Sequence, residues 1–311
     1  MNDLYLGIDT SNYRTSLALV DADGEILYNF RKLLPVPLGK RGLRQSEAFF
    51  RHVQVLPEAV KDAMEYSPYI KGISISSRPR PREGSYMPCF TAGTACASEL
   101  AAALHVPLIE TSHQEGHIEA IRFYSSLKDE EDMLFFHFSG GTTEALYRDE
   151  IVGGTLDISY GQVLDRLGVS LGMSFPSGEE LDGIALEEKD MTSMLKPIKV
   201  KDGRMNLSGI DTQSLRGAES LTSSGNRTEP LVKEVFTRLS DSVLGMMKQL
   251  SETCGTKNYI FAGGFSSSEF LRAYIMKNMT EDMNIVFGDP ELSGDNAVGT
   301  ALIGMKKITT R

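Results

Sequence analysis

Residues 111–120 read TSHQEGHIEA and hold two of the chain's five histidines, four positions apart. Thr111 or Ser112 is a good helix N-cap, which sets His113 in the first turn and His117 one turn later on the same face. An i, i+4 pair of imidazoles is the spacing with which one helix ligates a metal ion. The positive end of the helix dipole favours neutral imidazole, the form that binds metal. The residues do not spell a zinc peptidase. That motif places glutamate directly after the first histidine, whereas Glu115 lies two residues from each and so about 200° round a 3.6-residue helix. Two ligands are too few for a tight site, and His137 and Asp295 are the candidates to complete it. His137 ends the apolar run FFHF, where an imidazole is costly without a partner. Asp295 stands at the head of the last helix, where the alternative is a helix cap. His52 and His105 read as structural. The expectation is one divalent ion on nitrogen and oxygen ligands.

Three glycine-bearing turns suit a nucleotide. A turn without Cβ lets backbone N–H groups approach a phosphate. DTSNYRTS, with Asp9, Thr10 and Ser11, follows the first strand, and SGGTTE, with Ser139, Gly140, Gly141 and Thr142, follows its counterpart in the second half. FAGGFSSSEFLR, with Gly263, Gly264 and Ser268, leads into a helix and suits the nucleoside end. Any one of them is by itself an ordinary tight turn. Their recurrence at matching places supports a nucleotide as ligand.

The elements that must position these residues recur. LYLGIDT is an apolar strand, followed by two alternating strands around Asp23-Gly24; MLFFHFSGG is another, followed by two short strands around Arg148-Asp149. A helical stretch follows each triplet, SEAFFRHVQVLPEAVKDAM in one half and SYGQVLDRLGVSLG in the other. PLVKEVFTRLSDSVLGMMKQLSETCG is a long amphipathic helix, and after it come a strand, a glycine turn and a helix, then NIVFGD and a closing helix from about Asn296. Two copies of one unit predict an α/β protein of two similar lobes facing each other across a cleft, with the strand ends lining it.

Composition narrows the partners. The net charge of −10 argues against broad nucleic-acid binding, which runs on phosphate neutralisation. A local basic patch is a separate matter: SSRPRPREGS carries Arg78, Arg80 and Arg82 on a proline-stiffened loop offset only by Glu83, although short charge runs are usually solvated surface. The three cysteines, Cys89, Cys96 and Cys254, show no C-x-x-C spacing, so neither a disulfide framework nor a cysteine zinc site is indicated. No stretch approaches about eighteen consecutive apolar residues, and MNDLYLGIDT lacks a signal-peptide layout, so a cytoplasmic protein with no membrane partner is expected.

HQEGH, SGGTTE, AGGFSSSEFLR and GDNAVGTAL, in this order and spacing, resemble the family of tRNA threonylcarbamoyladenosine synthases, formerly called O-sialoglycoprotein endopeptidases or M22 glycoproteases. The resemblance runs from Gly7 to the last helix and takes in SEAFFRHVQVLP, GGTLDISYGQVLDR, FPSGEELDGIA and NLSGIDTQ. It implies the actin and sugar-kinase fold, with residues 1–110 and about 290–311 in one lobe and 111–289 in the other. It also implies that the histidine pair and Asp295 hold iron or zinc, that His137 stands where archaeal and eukaryotic members have a tyrosine, and that Asp165 and Gly178 join the nucleotide site. The reaction it implies moves threonylcarbamoyl from its adenylate to the adenosine beside the anticodon of tRNA. Nucleotide and tRNA are then the partners, with a protein partner or a second copy of the chain beside them.

Departures from the family pattern accompany the match. Tyr13-Arg14 replace Asp-Glu, Thr142 replaces histidine, Asp211 a lysine, and Ser268 the nucleoside-binding asparagine. Ile158, Gln162 and Arg166 replace Asp, Glu and Lys, and RPRPREG replaces a glycine-proline-glycine turn. Asp211 and Arg14 reverse two charges, and either Arg14 does what the lysine did or the chemistry has moved. The threonylcarbamoyl transferase stands first among the readings. A non-catalytic paralogue acting as a binding partner, or a transferase with another acceptor, comes second. A small-molecule kinase is weakest, since it would use an aspartate base and Mg²⁺ and has no use for a histidine pair.

Overall fold

The first strand of the chain, β1 (Leu4–Asp9), is buried at all six positions and so has to be covered on both faces. A computed structural model, which describes residues 2–11, 14–35, 43–138, 140–148, 150–294 and 296–310, shows what covers it. β2 (Arg14–Asp21) and β3 (Ile26–Leu33) run antiparallel beside β1, joined by a turn in which the Asp21 carboxylate accepts from the backbone N–H of Asp23 and Glu25. Helix α1 (Gln45–Ala63) follows, then β4 (Ile70–Arg78), α2 (Phe90–Leu104), β5 (Leu108–Ser112) and α3 (His113–Phe123). The sheet order is β3-β2-β1-β4-β5.

Leu6, Ile8, Leu17 and Ile75 pack with Leu56 of α1 and Ala97 of α2 on one face of this sheet. On the other face, Tyr5, Ala18 and Val20 meet Val298, Ala301 and Leu302 of the C-terminal helix Val298–Thr309. That helix crosses α3 so closely that a Cβ on Gly299 would lie 1.8 Å from the carbonyl oxygen of Gly116. No residue larger than glycine fits position 299 unless the helices part.

The second unit opens with β6 (Leu134–Phe138), β7 (Thr143–Tyr147) and β8 (Glu150–Thr155), again consecutive and antiparallel. Helices α4 (Tyr160–Ser170) and α5 (Gly178–Glu187), the two-residue strand β9 (Arg204–Met205), α6 (Ser208–Ser223) and the long α7 (Glu229–Cys254) come next. Strand β10 (Asn258–Ala262), α8 (Glu269–Asn278) and β11 (Asn284–Phe287) complete it. Its sheet order is β11-β10-β6-β7-β8-β9. Apart from the edge strand β9, this repeats the first sheet strand for strand, with β10 and β11 in the places of β4 and β5. An aromatic core of Phe136, Phe138, Tyr160, Phe236 and Phe261 fills the space between this sheet and its helices.

The compact units comprise Met1–Lys128 with Glu291–Arg311, and Asp129–Pro290. The stretch 111–128, placed by sequence in the second lobe, thus packs with the first. β5 pairs in parallel with β4, and α3 lies against the C-terminal helix, so the histidine helix cannot leave the first sheet. Among the described residues no helix is long and apolar enough to cross a membrane.

Candidate functional site

Helix α3 begins where the sequence predicts, and Ser112 is the N-cap. Its hydroxyl accepts from the Glu115 N–H at 3.2 Å, while the Glu115 carboxylate accepts from the Ser112 N–H at 2.7 Å. This reciprocal capping box occupies Glu115 at the helix end, where it has no part in peptidase chemistry. One turn apart on the same face, His113 Nε2 and His117 Nε2 converge to 2.9 Å. His117 is buried and His113 nearly so, with the Phe90 ring edge-on to His113.

Behind the pair stands a residue that sequence reasoning assigned to phosphate. Asp9, 1% exposed at the end of β1, holds its Oδ2 2.8 Å from His113 Nδ1 and its Oδ1 2.8 Å from the Ser11 N–H. Burial pushes the Asp9 carboxyl up, but the charge and hydrogen bond of His113, with hydrogen bonds from Ser11 and Ser76, hold it below the usual carboxylate range. When His113 is neutral with its proton on Nδ1, the ionised Asp9 accepts that proton and the Nε2 lone pair faces His117. A carboxylate behind an imidazole is the arrangement that orients metal-ligating histidines. Two ring nitrogens this close form one hydrogen bond, and the same two nitrogens would be the donors if the pair held a divalent ion. The pair offers two nitrogen donors of the type that iron and zinc take. Among the described residues, no group of three or more His, Cys, Asp and Glu side chains gathers around a common point. Asp295 lies outside the described residues. His137 belongs to the second unit, on β6 between Glu144 of β7 and Ala262 of β10.

Thr10 is fully buried, and its hydroxyl donates to the Cys89 carbonyl and accepts from the Gly93 N–H, tying β1 to the start of α2. Ser11 is buried too, and its N–H is taken by Asp9. Asp9, Thr10 and Ser11 are thus engaged within the first unit.

In the second unit the glycine turns come together at one sheet edge, because β6 and β10 are parallel neighbours with His137 beside Ala262. Ser139 lies outside the described residues. Gly140 and Gly141 are exposed, with nothing within 4 Å of where a Cβ would stand. Ser159, the N-cap of α4, donates its hydroxyl to the Gly140 carbonyl at 2.7 Å, and Thr142 follows at the head of β7. On α4, Asp165 accepts from the Ser177 N–H at 2.9 Å and so fixes the turn that presents Gly178, itself open, at the start of α5. Gly263, with φ at 90°, turns β10 out of the sheet, and Gly264 is open beside it. Ser268 caps α8 through the Leu271 N–H and donates to Asp182 at 2.5 Å. Its hydroxyl is engaged inside the fold.

The substituted positions of this unit have partners of their own. Arg166 Nη1 meets the buried Asp211 carboxylate at 2.9 Å, so within the second unit the aspartate at 211 is neutralised from α4. Gln162 completes the capping box of α4, and Ile158 packs on the aromatic core. Sequence reasoning missed the Asp9–His113 contact because the residues are 104 positions apart; the one signal was an acid at the end of the first strand.

A family model described as tRNA N6-adenosine threonylcarbamoyltransferase matches residues 5–302. Proteins of that name from Streptococcus thermophilus and Methanopyrus kandleri are each 28% identical, over 97% and 96% of this chain and 91% and 86% of their own. A third, from Ligilactobacillus salivarius, is 26% identical over 97% of this chain and 90% of its own. Among solved structures, T. kodakarensis HypF aligns with a TM-score of 0.62 at 14% identity, over 99% of this chain and 48% of that one. Component A of the Acidaminococcus fermentans (R)-2-hydroxyglutaryl-CoA dehydratase gives 0.59 at 12%, over 99% and 100%. The ROK hexokinase from Thermus thermophilus gives 0.52 at 14%, over 99% and 100%. These likenesses show the fold, the duplicated α/β architecture of the actin and sugar-kinase class.

Proposed function

Because the chain belongs to the tRNA N6-adenosine threonylcarbamoyltransferase family, we propose that it is a transferase that moves a threonylcarbamoyl group from its adenylate to an adenosine of tRNA. The observation that carries the reading is the convergence of His113 and His117 at 2.9 Å with Asp9 behind them. His113 and His117 would hold the divalent ion, with Asp295 and His137 as the further ligands expected from sequence. Such an ion supplies Lewis acidity where negative charge develops on the carbonyl and on the leaving phosphate. Asp9 keeps the tautomer and orientation of His113 through the transfer. The exposed backbone at Gly140 and Gly141, with Gly178, Gly263 and Gly264, suits the adenylate.

A different acceptor is the second reading, and the rewired positions favour it: Asp211 is committed to Arg166 and Ser268 to Asp182. One experiment separates the two. Purified protein is given synthetic threonylcarbamoyl-adenylate and unmodified tRNA, and modified adenosine is counted by mass spectrometry alongside metal content. The expected result is transfer that is lost, together with bound iron or zinc, in His113→Ala/His117→Ala. Adenylate turnover without modified tRNA would hand the case to another acceptor, and equal metal in both proteins would remove the metal site.

A further inference from the structure

The loop that leaves β4 is not a loose basic run. The Gln114 N–H donates to the Pro79 carbonyl at 3.1 Å, so the loop hangs on the first turn of α3, next to His113. The Arg80 N–H donates to Ser85 Oγ at 3.0 Å, and the N–H groups of Arg82 and Ser85 close two further turns. Pro79 and Pro81 remove backbone freedom from the same segment. The loop walls a cavity of about 300 Å³ whose lining includes Ser77, Arg78, Ser85, Tyr86, Thr91 and Glu110. Arg78 Nη1 donates to Ser77 Oγ at 3.3 Å, and its Nη2 stands 3.9 Å from a Glu115 carboxylate already engaged in the capping box. Tyr86 is 69% exposed, and Arg82 is exposed as well.

A held guanidinium among hydroxyls is a receptor for a phosphate. A large exposed ring at the mouth is a platform on which a base stacks. Glu110 is an acceptor with no use for an anion but suited to a hydroxyl, and the ribose 2′-OH is the donor that RNA has and DNA lacks. The volume is at the small end of ligand cavities and takes one nucleotide rather than a folded helix. We propose that this cavity binds one nucleotide of a single-stranded stretch of the tRNA acceptor: phosphate on Arg78, base on Tyr86, ribose hydroxyl on Glu110, and a neighbouring phosphate on Arg82. The inference rests on the tRNA reading above and gives it a location. A chain of net charge −10 repels RNA at long range, so binding has to rest on local contacts such as those of Arg78 and Arg82.

The test is fluorescence anisotropy of a labelled anticodon stem–loop RNA, and of the same sequence as DNA, against the full chain. RNA is expected to bind tighter than DNA. Tyr86→Ala is expected to weaken RNA binding about tenfold while Tyr86→Phe retains it, since stacking needs the ring and not the hydroxyl. Arg82→Ala should lower the slope of log K against log salt by about 0.7, one phosphate contact on a single strand. Arg78→Ser should weaken RNA, and Glu110→Ala should abolish the preference over DNA. Tyr86 and Arg82 are exposed, so their variants report on binding and not on folding. If wild type binds RNA and every variant binds it equally, the cavity is not the site and this proposal alone falls. If wild type binds no RNA, the tRNA reading falls with it.

Discussion

Asp9 contributes to the histidine pair without reaching past it. Its carboxylate is 1% exposed, so whatever binds between the imidazoles meets Asp9 only through His113. An asparagine there keeps the size but offers a weaker acceptor and an N–H₂ that competes with Nδ1–H, so His113 loses its fixed tautomer. Asp9→Asn is expected to lower metal affinity ten- to a hundredfold with the fold intact. Competition titration against a chromogenic chelator measures it, and unchanged affinity would make Asp9 a structural acid. The histidine pair itself was legible because an i, i+4 spacing is local and a cap residue precedes it. Asp9 was not, because the sequence carries no mark of a contact between the first strand and a helix 104 residues on. Ser268 and Thr10 teach the converse: small hydroxyl residues at glycine turns look like ligand donors, yet here they cap α8 and bridge to α2.

Helices α4 and α6 are joined by an ion pair between Arg166, which keeps the positive charge that the family resemblance leads one to expect, and Asp211, which reverses it. Asp211 is buried on α6, and Arg166 reaches it from α4 with half its side chain in solvent. Exposure of the arginine limits the net value of the pair, but an unpaired charge at the buried end is costly. Asp211→Lys, which restores the family's residue type, should therefore destabilise the protein by about 2 kcal/mol or more, since it buries a cation against Arg166. Adding Arg166→Glu should recover most of that loss, and urea unfolding of the two singles and the double closes the cycle. A double mutant no more stable than Asp211→Lys would show that the pair does not couple the helices. The strand triplets and the long α7 were plain from alternation and from three-and-four spacing. The stretch 111–128 was misplaced because periodicity shows that a helix exists and says nothing of which sheet it covers. That is decided by the Gly116–Gly299 crossing, which only the fold shows.

At the scale of the molecule, duplication has divided the labour. The sheet order β3-β2-β1-β4-β5 returns as β8-β7-β6-β10-β11, yet the first copy carries the histidine pair and the second the open glycine turns. The sites differ: the histidine pair of the family motif is present with Asp9 bonded to it, while Ser268, where the resemblance leads one to expect the nucleoside-binding asparagine, is bonded to Asp182. Nucleoside recognition should then be loose, with ATP and GTP giving similar, weak heats in calorimetry. Loss of one hydrogen-bonded recognition group is worth about 1–3 kcal/mol, a ten- to hundredfold rise in the adenylate concentration needed. At cellular adenylate levels such an enzyme turns over slowly even if its transfer step is sound. Expressed alone in cells depleted of their authentic synthase, the protein is therefore expected not to restore growth or normal tRNA modification. Ser268→Asn tests the cause, since asparagine is also a good N-cap for α8 and has the longer reach. Tighter ATP binding and partial rescue by that variant would place the deficit at the nucleoside, whereas full rescue by the unaltered chain would show that its acceptor and its adenylate site are those of the family.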